Sequence, residues 1–137
     1  ELEYASQDFK DNFDIVLAAV RSDGLAIKHA SENLRNKRRI VYNAIENNTD
    51  ALEFASEELK SDECIVKYAI CRSPSSFKFA SYKLRNSKEF IMSFFQENIH
   101  RYIGTGEILK HMSCELKNDK EFVQELEERI KRGRFFL

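Results

Sequence analysis

Residues Leu52 to Ile70 read Leu-Glu-Phe-Ala-Ser-Glu-Glu-Leu-Lys-Ser-Asp-Glu-Cys-Ile-Val-Lys-Tyr-Ala-Ile. The same order of apolar, small and polar residues comes back along the chain at a fixed spacing. Its clearest marker is an alanine followed by a serine, which occurs every 25 residues, at Ala5, Ala30, Ala55 and Ala80. Recurrence at a fixed period is the signature of a repeat protein, so the sequence predicts a tandem array.

The four alanines, Ala5, Ala30, Ala55 and Ala80, are each followed ten residues later by two bulky apolar residues. These pairs are Ile15–Val16, Ile40–Val41, Ile65–Val66 and Phe90–Ile91. A fifth copy has Met112 and Ser113 in place of the alanine and serine, and it comes 32 residues after the fourth copy rather than 25. We therefore divide the chain, as one continuous domain, into four 25-residue helix-turn-helix repeats, an insertion loop and a C-terminal capping repeat. Units 1 to 4 are residues 1–25, 26–50, 51–75 and 76–100, the loop is 101–107, and unit 5 is 108–137.

Each unit is predicted to be a hairpin of two short helices. The first helix follows the i, i+3, i+4, i+7 spacing of one helix face, and the second carries an apolar stripe that faces the first. In unit 3 the residues concerned are Leu52, Ala55, Ser56 and Leu59, and then Ile65, Val66, Ala69 and Ile70. Neither helix is long enough to be stable alone in water, so packing has to hold it. The predicted fold class is all-α, an α-solenoid of stacked helical hairpins with a 25-residue repeat.

Polar residues at the turns predict where helices begin. Short polar side chains that accept hydrogen bonds from the first amides of a helix are the preferred N-caps. The candidates are Ser22 or Asp23 for the first helix of unit 2, Thr49 and Asp50 for that of unit 3, and Ser61 or Asp62 for the second helix of unit 3.

Composition and charge narrow the classes of function. The chain has 137 residues, 42% hydrophobic and 33% charged, which is ordinary for one soluble globular domain. Its net charge of -1 argues against a chain devoted as a whole to nucleic acid or to an anionic membrane. No apolar run approaches the length of a membrane span. Three cysteines without CxxC spacing favour a reducing compartment, so we expect a cytoplasmic protein.

The two ends differ from the middle of the array. Unit 1 opens on Leu2, Tyr4 and Ala5 without the polar face that closes a stack, so we expect further repeats or another domain before Glu1. In the last helix Glu127 stands where earlier units place apolar residues, which is typical of a cap.

The repeated phrases resemble a known family. They are Leu-Glu-Phe-Ala-Ser-Glu-Glu-Leu-Lys-Ser-Asp at 52–62, Leu-Glu-Tyr-Ala-Ser at 2–6 and Ile-Val-Leu-Ala-Ala-Val at 15–20. They are similar to the tandem repeat catalogued as domain of unknown function 4116, found in intracellular bacteria, amoeboid protists and large DNA viruses. The resemblance covers nearly the whole chain. It implies a helical repeat array, often attached to other domains, and brings no catalytic residues. It leaves open that the protein is an effector of an intracellular bacterium, located in the host cytosol.

Histidine and cysteine are the first candidates for chemistry. His29 and His111 have the side chain best suited to acid-base or ligand roles at neutral pH. They share a column with Tyr4, Phe54 and Phe79, however, which favours packing. His100 lies in the irregular connection. Cys64, Cys71 and Cys114 lack the close pairing of zinc ligands, so we interpret them as reduced thiols. No catalytic residue, cofactor or metal is predicted.

The basic residues are the stronger candidates. Lys10, Arg35, Lys60, Arg85 and Lys117 occupy one column, which a regular stack would line up as a ridge. The helix macrodipole also favours a cation in the last turn of a helix, and that explanation needs no ligand. Unit 2 adds the densest local group of positive charge, Lys37, Arg38 and Arg39, with Tyr42 one turn on. It suits phosphates or an acidic protein surface, although a solvated helix face is the simpler explanation.

The predicted function follows from these features. We expect a non-catalytic helical-repeat module for protein–protein interaction or scaffolding within a larger intracellular protein. Its protein partner is unidentified, membrane insertion is not expected, and the module alone is expected to be a monomer. The candidate partner-binding residues are Arg35, Lys37, Arg38, Arg39, Tyr42, Lys60 and Arg85. Two alternatives stay open: a repeat surface for nucleic acid or phosphate, and the targeting arm of an enzyme whose catalytic domain lies outside this chain.

Overall fold

All regular secondary structure in the described part of the chain is helical, as the sequence predicts. The structure is a computed structural model that describes residues 2–98 and 104–135. These residues form α-helices and 3-10 helices (η) and contain no strand. In chain order they are η1 (Leu2–Tyr4), α1 (Gln7–Lys10), α2 (Phe13–Ser22), η2 (Gly24–His29), α3 (Glu32–Arg35), α4 (Arg38–Asn47), η3 (Thr49–Phe54), α5 (Glu57–Lys60), α6 (Glu63–Arg72), η4 (Pro74–Phe79), α7 (Tyr82–Arg85), α8 (Lys88–Glu97), α9 (Thr105–His111), α10 (Cys114–Asn118) and α11 (Lys120–Phe135). None of these helices is both long and apolar enough to cross a membrane.

The prediction of a single first helix in each unit is wrong, because this segment forms two shorter helices. In unit 3, η3 ends at Phe54 and α5 begins at Glu57. Ala55 and Ser56 between them are extended, with ψ near 160° and 156°. The Ser56 hydroxyl accepts a hydrogen bond from the Leu59 amide at 3.2 Å and so stabilises the start of the new helix, α5. The apolar spacing therefore marks one side of the unit, not one side of a single helix.

The predicted helix starts agree with the structure at two of three places. Asp23 accepts a hydrogen bond from the Leu25 amide, and Asp62 accepts from the amides of Cys64 and Ile65. In unit 3 the prediction of Thr49 and Asp50 is wrong, since Asn48 is the N-cap of η3. An asparagine side chain is as good an acceptor at this position as aspartate, and it stands one residue earlier.

The predicted insertion loop is helical at its C-terminal end. Gly104 is the N-cap of α9 with φ 56°, a left-handed conformation that glycine adopts at little cost. α9 begins at Thr105, so residues 105–107 belong to its first turn. Gly104 also lies so close to Pro74 that an added Cβ would be 2.0 Å from the proline Cβ. Residues 101–103 of the predicted loop lie outside the described residues.

Neighbouring units pack on one another. The long helix α2 packs against α4, α4 packs against α6, and α8 packs against α11. The helices η2 and η4 contact the long helix of the unit before, α2 and α6 respectively. Within the described ranges, all extensive contacts between elements join parts of the same unit or of consecutive units.

A ladder of serine hydrogen bonds joins each described unit to the one before. The backbone N–H of each capping serine donates to the carbonyl of the last residue in the preceding short helix. The pairs are Ser31 to Lys10 (2.9 Å), Ser56 to Arg35 (3.1 Å), Ser81 to Lys60 (2.9 Å) and Ser113 to Arg85 (2.9 Å). Three of the serine hydroxyls also donate a hydrogen bond of 2.5 Å to the next residue of the preceding unit, at its side-chain Oδ1. These pairs are Ser31 to Asp11, Ser56 to Asn36 and Ser113 to Asn86.

We expect Ser56→Ala to lower the free energy of unfolding by about 2 kcal/mol, because it removes both an N-cap and a hydrogen bond between units. Ser81 is the matched control. Its hydroxyl caps the Leu84 amide at 3.4 Å but has no hydrogen bond to the preceding unit among the described residues. Ser81→Ala should therefore cost about 1 kcal/mol. Urea titrations of both variants would measure the difference, and equal losses would show that the bond between units contributes nothing.

Equivalent positions of the long helices are buried to different extents at the two ends of the array. Ile15 of unit 1 is 38% exposed, whereas Ile40 and Ile65, which hold the same position in units 2 and 3, are 0% exposed. The next position shows the reverse: Val16 is fully buried in unit 1, whereas Val123 in unit 5 is half-exposed. The first position therefore faces the preceding unit and the second faces the following one. We call these the leading side and the trailing side of a unit.

Candidate functional site

Three residues of the basic column predicted from the sequence bind acceptors in their own units: Lys60, Arg85 and Lys117. All five residues of the column lie in the last turns of the short helices. Arg85 Nε donates to the carbonyl of Ala80 at 3.1 Å, and Lys117 Nζ donates to the carbonyl of Lys110 at 2.5 Å. Lys60 Nζ lies 3.1 Å from a Glu57 carboxylate oxygen. Cations at helix C-termini that bind local carbonyls stabilise those ends, so this geometry agrees with the macrodipole explanation.

Arg35 differs from the rest of the column. Its side chain is one-third exposed, and its guanidinium is 3.9 Å from Glu32. Its Nε is buried and has no hydrogen-bond partner among the described residues, whereas the Nε of Arg85 bonds to the carbonyl of Ala80.

The group Lys37, Arg38 and Arg39 lies where α4 begins. Lys37 is the N-cap of α4 and offers no acceptor to the first amides of the helix. The residues at this place in the other units do offer one: Asn12, Asp62, Ser87 and Asp119 each accept from amides of the first turn. The start of α4 therefore combines free amide donors with three exposed cations, and both features attract negative charge.

Two of these cations already have neighbours. Arg38 forms an ion pair with Asp62, the N-cap of α6. The Arg39 guanidinium lies over the ring of Phe13 in unit 1, 5.7 Å from the ring centroid. Both side chains thus reach across to adjoining units while they remain exposed. Lys37 has no ion-pair partner within the part of the chain that the structure describes.

Tyr42 is part of an aromatic pair that was not predicted from the sequence. Its ring meets Tyr68 of unit 3 edge to face, with centroids 5.1 Å apart and planes at 73°. Arg72 covers Tyr68 at 5.4 Å from the ring centroid and donates to the carbonyl of Glu46 at 3.0 Å. Both tyrosines are half-buried. The signal was present in the spacing: Tyr68 follows Tyr42 by 26 residues, one unit plus one residue, which makes them neighbours on adjacent long helices.

These side chains form one surface on α4 and α6. We call it the α4–α6 surface and define it by Lys37, Arg38, Arg39, Tyr42, Tyr68 and Arg72. Of the predicted binding residues, the structure brings together Lys37, Arg38, Arg39 and Tyr42 at this place. Arg35, Lys60 and Arg85 belong instead to the ends of the short helices.

We expect Lys37→Asn to raise the free energy of unfolding by about 1 kcal/mol, because it supplies the N-cap that α4 lacks. The reciprocal control is Asn12→Lys. It removes the acceptor of the Asp14 and Ile15 amides and should cost about 1 kcal/mol. Thermal unfolding followed by circular dichroism would report both. A Lys37→Asn variant less stable than the parent chain would contradict the assignment of α4 as an uncapped helix.

The perturbed titrating groups lie at the junction of units 4 and 5. Lys88 Nζ is 2.5 Å from Asp119, and this hydrogen bond raises the pKa of Lys88 and lowers the pKa of Asp119. The Tyr82 hydroxyl donates to Glu115 at 2.8 Å, which raises the pKa of that tyrosine. All three shifts move the pKa away from neutrality. Both hydrogen bonds join unit 4 to unit 5, so these groups form contacts between the two units.

The histidines and cysteines are dispersed. His29 and His111 are half-buried, and His111 Nε2 lies 3.3 Å from a Glu107 carboxylate oxygen. His100 lies outside the described residues. Cys64 and Cys114 are exposed, and the Cys71 thiol is 3.7 Å from Asn98 Oδ1. In the described ranges no three His, Cys, Asp or Glu side chains come together as metal ligands. That the chain binds no metal stays a prediction.

An all-α chain of serially related helical units defines a class, the helical-repeat proteins. Within that class the chain belongs to the family described as domain of unknown function (DUF4116). The family model matches residues 1–35, 37–85 and 62–103, of which the last two overlap, and together these ranges cover most of the chain. The resemblance predicted from the repeated phrases is confirmed. No curated protein and no solved structure gives a significant match to the chain.

Proposed function

We propose that the chain is an α-solenoid with a 25-residue repeat that serves as a non-catalytic module for protein–protein interaction, and that the α4–α6 surface binds the partner. The observation that carries the proposal is the Tyr42–Tyr68 pair, with Arg72 over the Tyr68 ring and Arg39 one turn before Tyr42 on α4. Stacked repeats present extended surfaces of this kind, which is how such arrays usually bind. The extensive contacts between consecutive units and the serine ladder support the stack.

The chemistry of the α4–α6 surface suits an interface. Tyrosine and arginine dominate the binding energy of protein interfaces, since each combines a large flat contact area with hydrogen-bonding groups. The edge-to-face packing of Tyr42 and Tyr68 holds both rings in place before binding, so less side-chain entropy is lost when a partner arrives. The surrounding lysine and arginines favour an acidic partner surface.

A phosphate-bearing or nucleic-acid partner is the second candidate. The free amides at the start of α4, with Lys37, Arg38 and Arg39 around them, suit an anion. Against it stand the net charge of -1 and the pairing of Arg38 with Asp62. The basic column adds little to such a surface, because Lys60, Arg85 and Lys117 bind acceptors of their own units.

The test is affinity capture from a cell lysate with the full chain and with the double variant Lys37→Glu and Arg39→Glu. Both residues are exposed, and neither has an ion pair in the described part of the chain that the change would break. The control is Lys78→Glu with Lys83→Glu, which makes the same change in net charge on exposed lysines of unit 4. Circular dichroism should show all three proteins folded.

The outcomes separate the two candidates. A protein partner retained by the parent chain and by the control, lost by the double variant and insensitive to nuclease treatment supports the proposal. Loss on nuclease treatment, with binding that falls steeply as salt rises, identifies nucleic acid instead. If all three proteins retain the partner equally, the α4–α6 surface does not bind it. We further propose that the module works inside a larger intracellular protein, without catalytic residues of its own.

A further inference from the structure

One face of unit 1 is apolar and uncovered. The described residues include four large apolar side chains that are exposed, and three of them lie on this unit: Tyr4 (85%), Phe9 (53%) and Ile15 (38%). Phe9 and Ile15 line an apolar groove together with Leu2, Ala5 and Ala19, with a volume of about 410 Å³. Ile15 and Ala19 are on the leading side of α2, so the groove faces away from unit 2.

The positions of Phe9, Ile15 and Ala19 are buried in every later unit. Where unit 1 has Phe9, the later units have leucines that are 3% to 4% exposed: Leu34, Leu59, Leu84 and Leu116. Where it has the half-exposed Ala19, they have Ala44, Ala69, Phe94 and Leu126, none more than 1% exposed. Each of these later units packs on the unit before it. The internal junctions thus provide four templates for what fits the face of unit 1.

Ser6 provides a second and independent observation. It holds the place of Ser31, Ser56, Ser81 and Ser113, all of which donate their backbone N–H to the preceding unit. Ser6 is exposed, its hydroxyl forms no cap, and its N–H has no acceptor among the described residues. The face of unit 1 therefore offers the same hydrogen-bond donors as the internal junctions, at the place where the ladder of serines would continue.

We propose that a further unit of the same repeat binds this face and packs on unit 1 as each unit packs on the next. The occupant has two branched apolar residues one turn apart on the trailing side of a long helix, as Val41 and Ile45 are in unit 2. It also has a short helix whose last carbonyl accepts from the Ser6 N–H, followed by an asparagine or aspartate that accepts from the hydroxyl. This proposal rests on the stacked arrangement proposed above and is independent of the α4–α6 surface.

The end of a second copy does not have this chemistry. On the trailing side of α11, Glu127 stands at the place of Ile45 and is exposed, and Gln124 beside it is exposed as well. Seating that side on the groove would bury a carboxylate against Phe9 and Ile15 without a partner, which is strongly unfavourable. Head-to-tail association of copies therefore does not supply the cover.

The test is a graft of a copy of residues 26–50 directly before Glu1 of the full chain. This insertion keeps the 25-residue register, because residue 1 corresponds to residue 51. The control graft carries Val41→Glu and Ile45→Glu in the added copy only. In the parent chain, Ile15→Ala should lower the urea midpoint far less than Ile40→Ala does. In the grafted chain the two substitutions should lower it equally, and the Ser6 amide should exchange with solvent at least about tenfold more slowly.

Each result bears on the proposal. Equalised effects of Ile15→Ala and Ile40→Ala in the graft, absent from the control graft, support it. An unchanged effect of Ile15→Ala and unchanged exchange of Ser6 in a folded graft would overturn it. So would concentration-dependent dimers of the parent chain that Ile15→Asp abolishes, since a second copy would then occupy the groove. The lysate capture is a separate readout: its failure with a successful graft would reject only the partner-binding role.

Discussion

Ile40→Ala is expected to lower the free energy of unfolding by about 4 kcal/mol, whereas Ile15→Ala is expected to cost only about 1 kcal/mol. Both isoleucines occupy the same position of a long helix, on its leading side. Ile40 is 0% exposed and Ile15 is 38% exposed. Removing three carbons from Ile40 leaves a cavity between α4 and unit 1, whereas the space left by Ile15 is open to water.

Urea unfolding of the two variants beside the parent chain would measure this difference. The pair is matched in residue type, in substitution and in helical position, so differences in helix propensity cancel. Equal losses would contradict the view that unit 1 covers the leading side of unit 2. They would indicate that each unit is stabilised within itself, because burial between units would then add nothing.

Gly24→Ala is expected to lower the free energy of unfolding by about 3 kcal/mol, because an added Cβ has no room. Gly24 is buried at the start of η2, where the chain passes close to the end of α4. A Cβ there would lie 2.4 Å from the carbonyl oxygen of Ala44 and 2.9 Å from the amide nitrogen of Asn48. Both are backbone atoms, so the helices would have to move apart. That movement would also strain the 2.7 Å hydrogen bond from the Gly24 amide to Asn47.

Gly106→Ala is the matched control. Gly106 lies in α9, and a Cβ built on it meets nothing within 4 Å. Alanine in a helix is more stable than glycine there by about 0.5 to 1 kcal/mol, so this substitution should stabilise the protein slightly. Thermal unfolding would report the two opposite signs. A Gly24→Ala variant as stable as the parent chain would show that η2 and α4 do not approach as closely as described.

The helical class and the family could be predicted because both depend on the order of residues that are close together in the chain. Periodic apolar residues and the repeated phrases need no knowledge of distant contacts. The break at Ser56 was missed for a physical reason: the spacing of Leu52, Ala55, Ser56 and Leu59 suits one helix as well as two. Ala55 and Ser56 are extended instead, and the Ser56 hydroxyl caps the Leu59 amide at the start of α5. In the structure that hydroxyl also bonds to Asn36 of the unit before, a contact that no local pattern contains.

The candidate surface was predicted only in part. The sequence identified Lys37, Arg38, Arg39 and Tyr42 because they are close together in the chain. Tyr68 and Arg72 belong to the next unit, and their place beside Tyr42 depends on how α4 and α6 pack. Lys60 and Arg85 were included because they share a column with Arg35. Their side chains bind within their own units instead, since a nearby carbonyl or carboxylate competes well with solvent for a flexible cation.

The sequence by itself determined that this protein is all-helical, that its family is the one described as domain of unknown function (DUF4116), and which residues are apolar at each helical position. Only the tertiary structure decided which apolar side faces the preceding unit and which the following one. It also decided that Ile15 and Phe9 are left uncovered. The physical reason is that periodicity specifies a face of one helix, whereas burial depends on which neighbour covers that face, and the neighbour is one unit away in the chain.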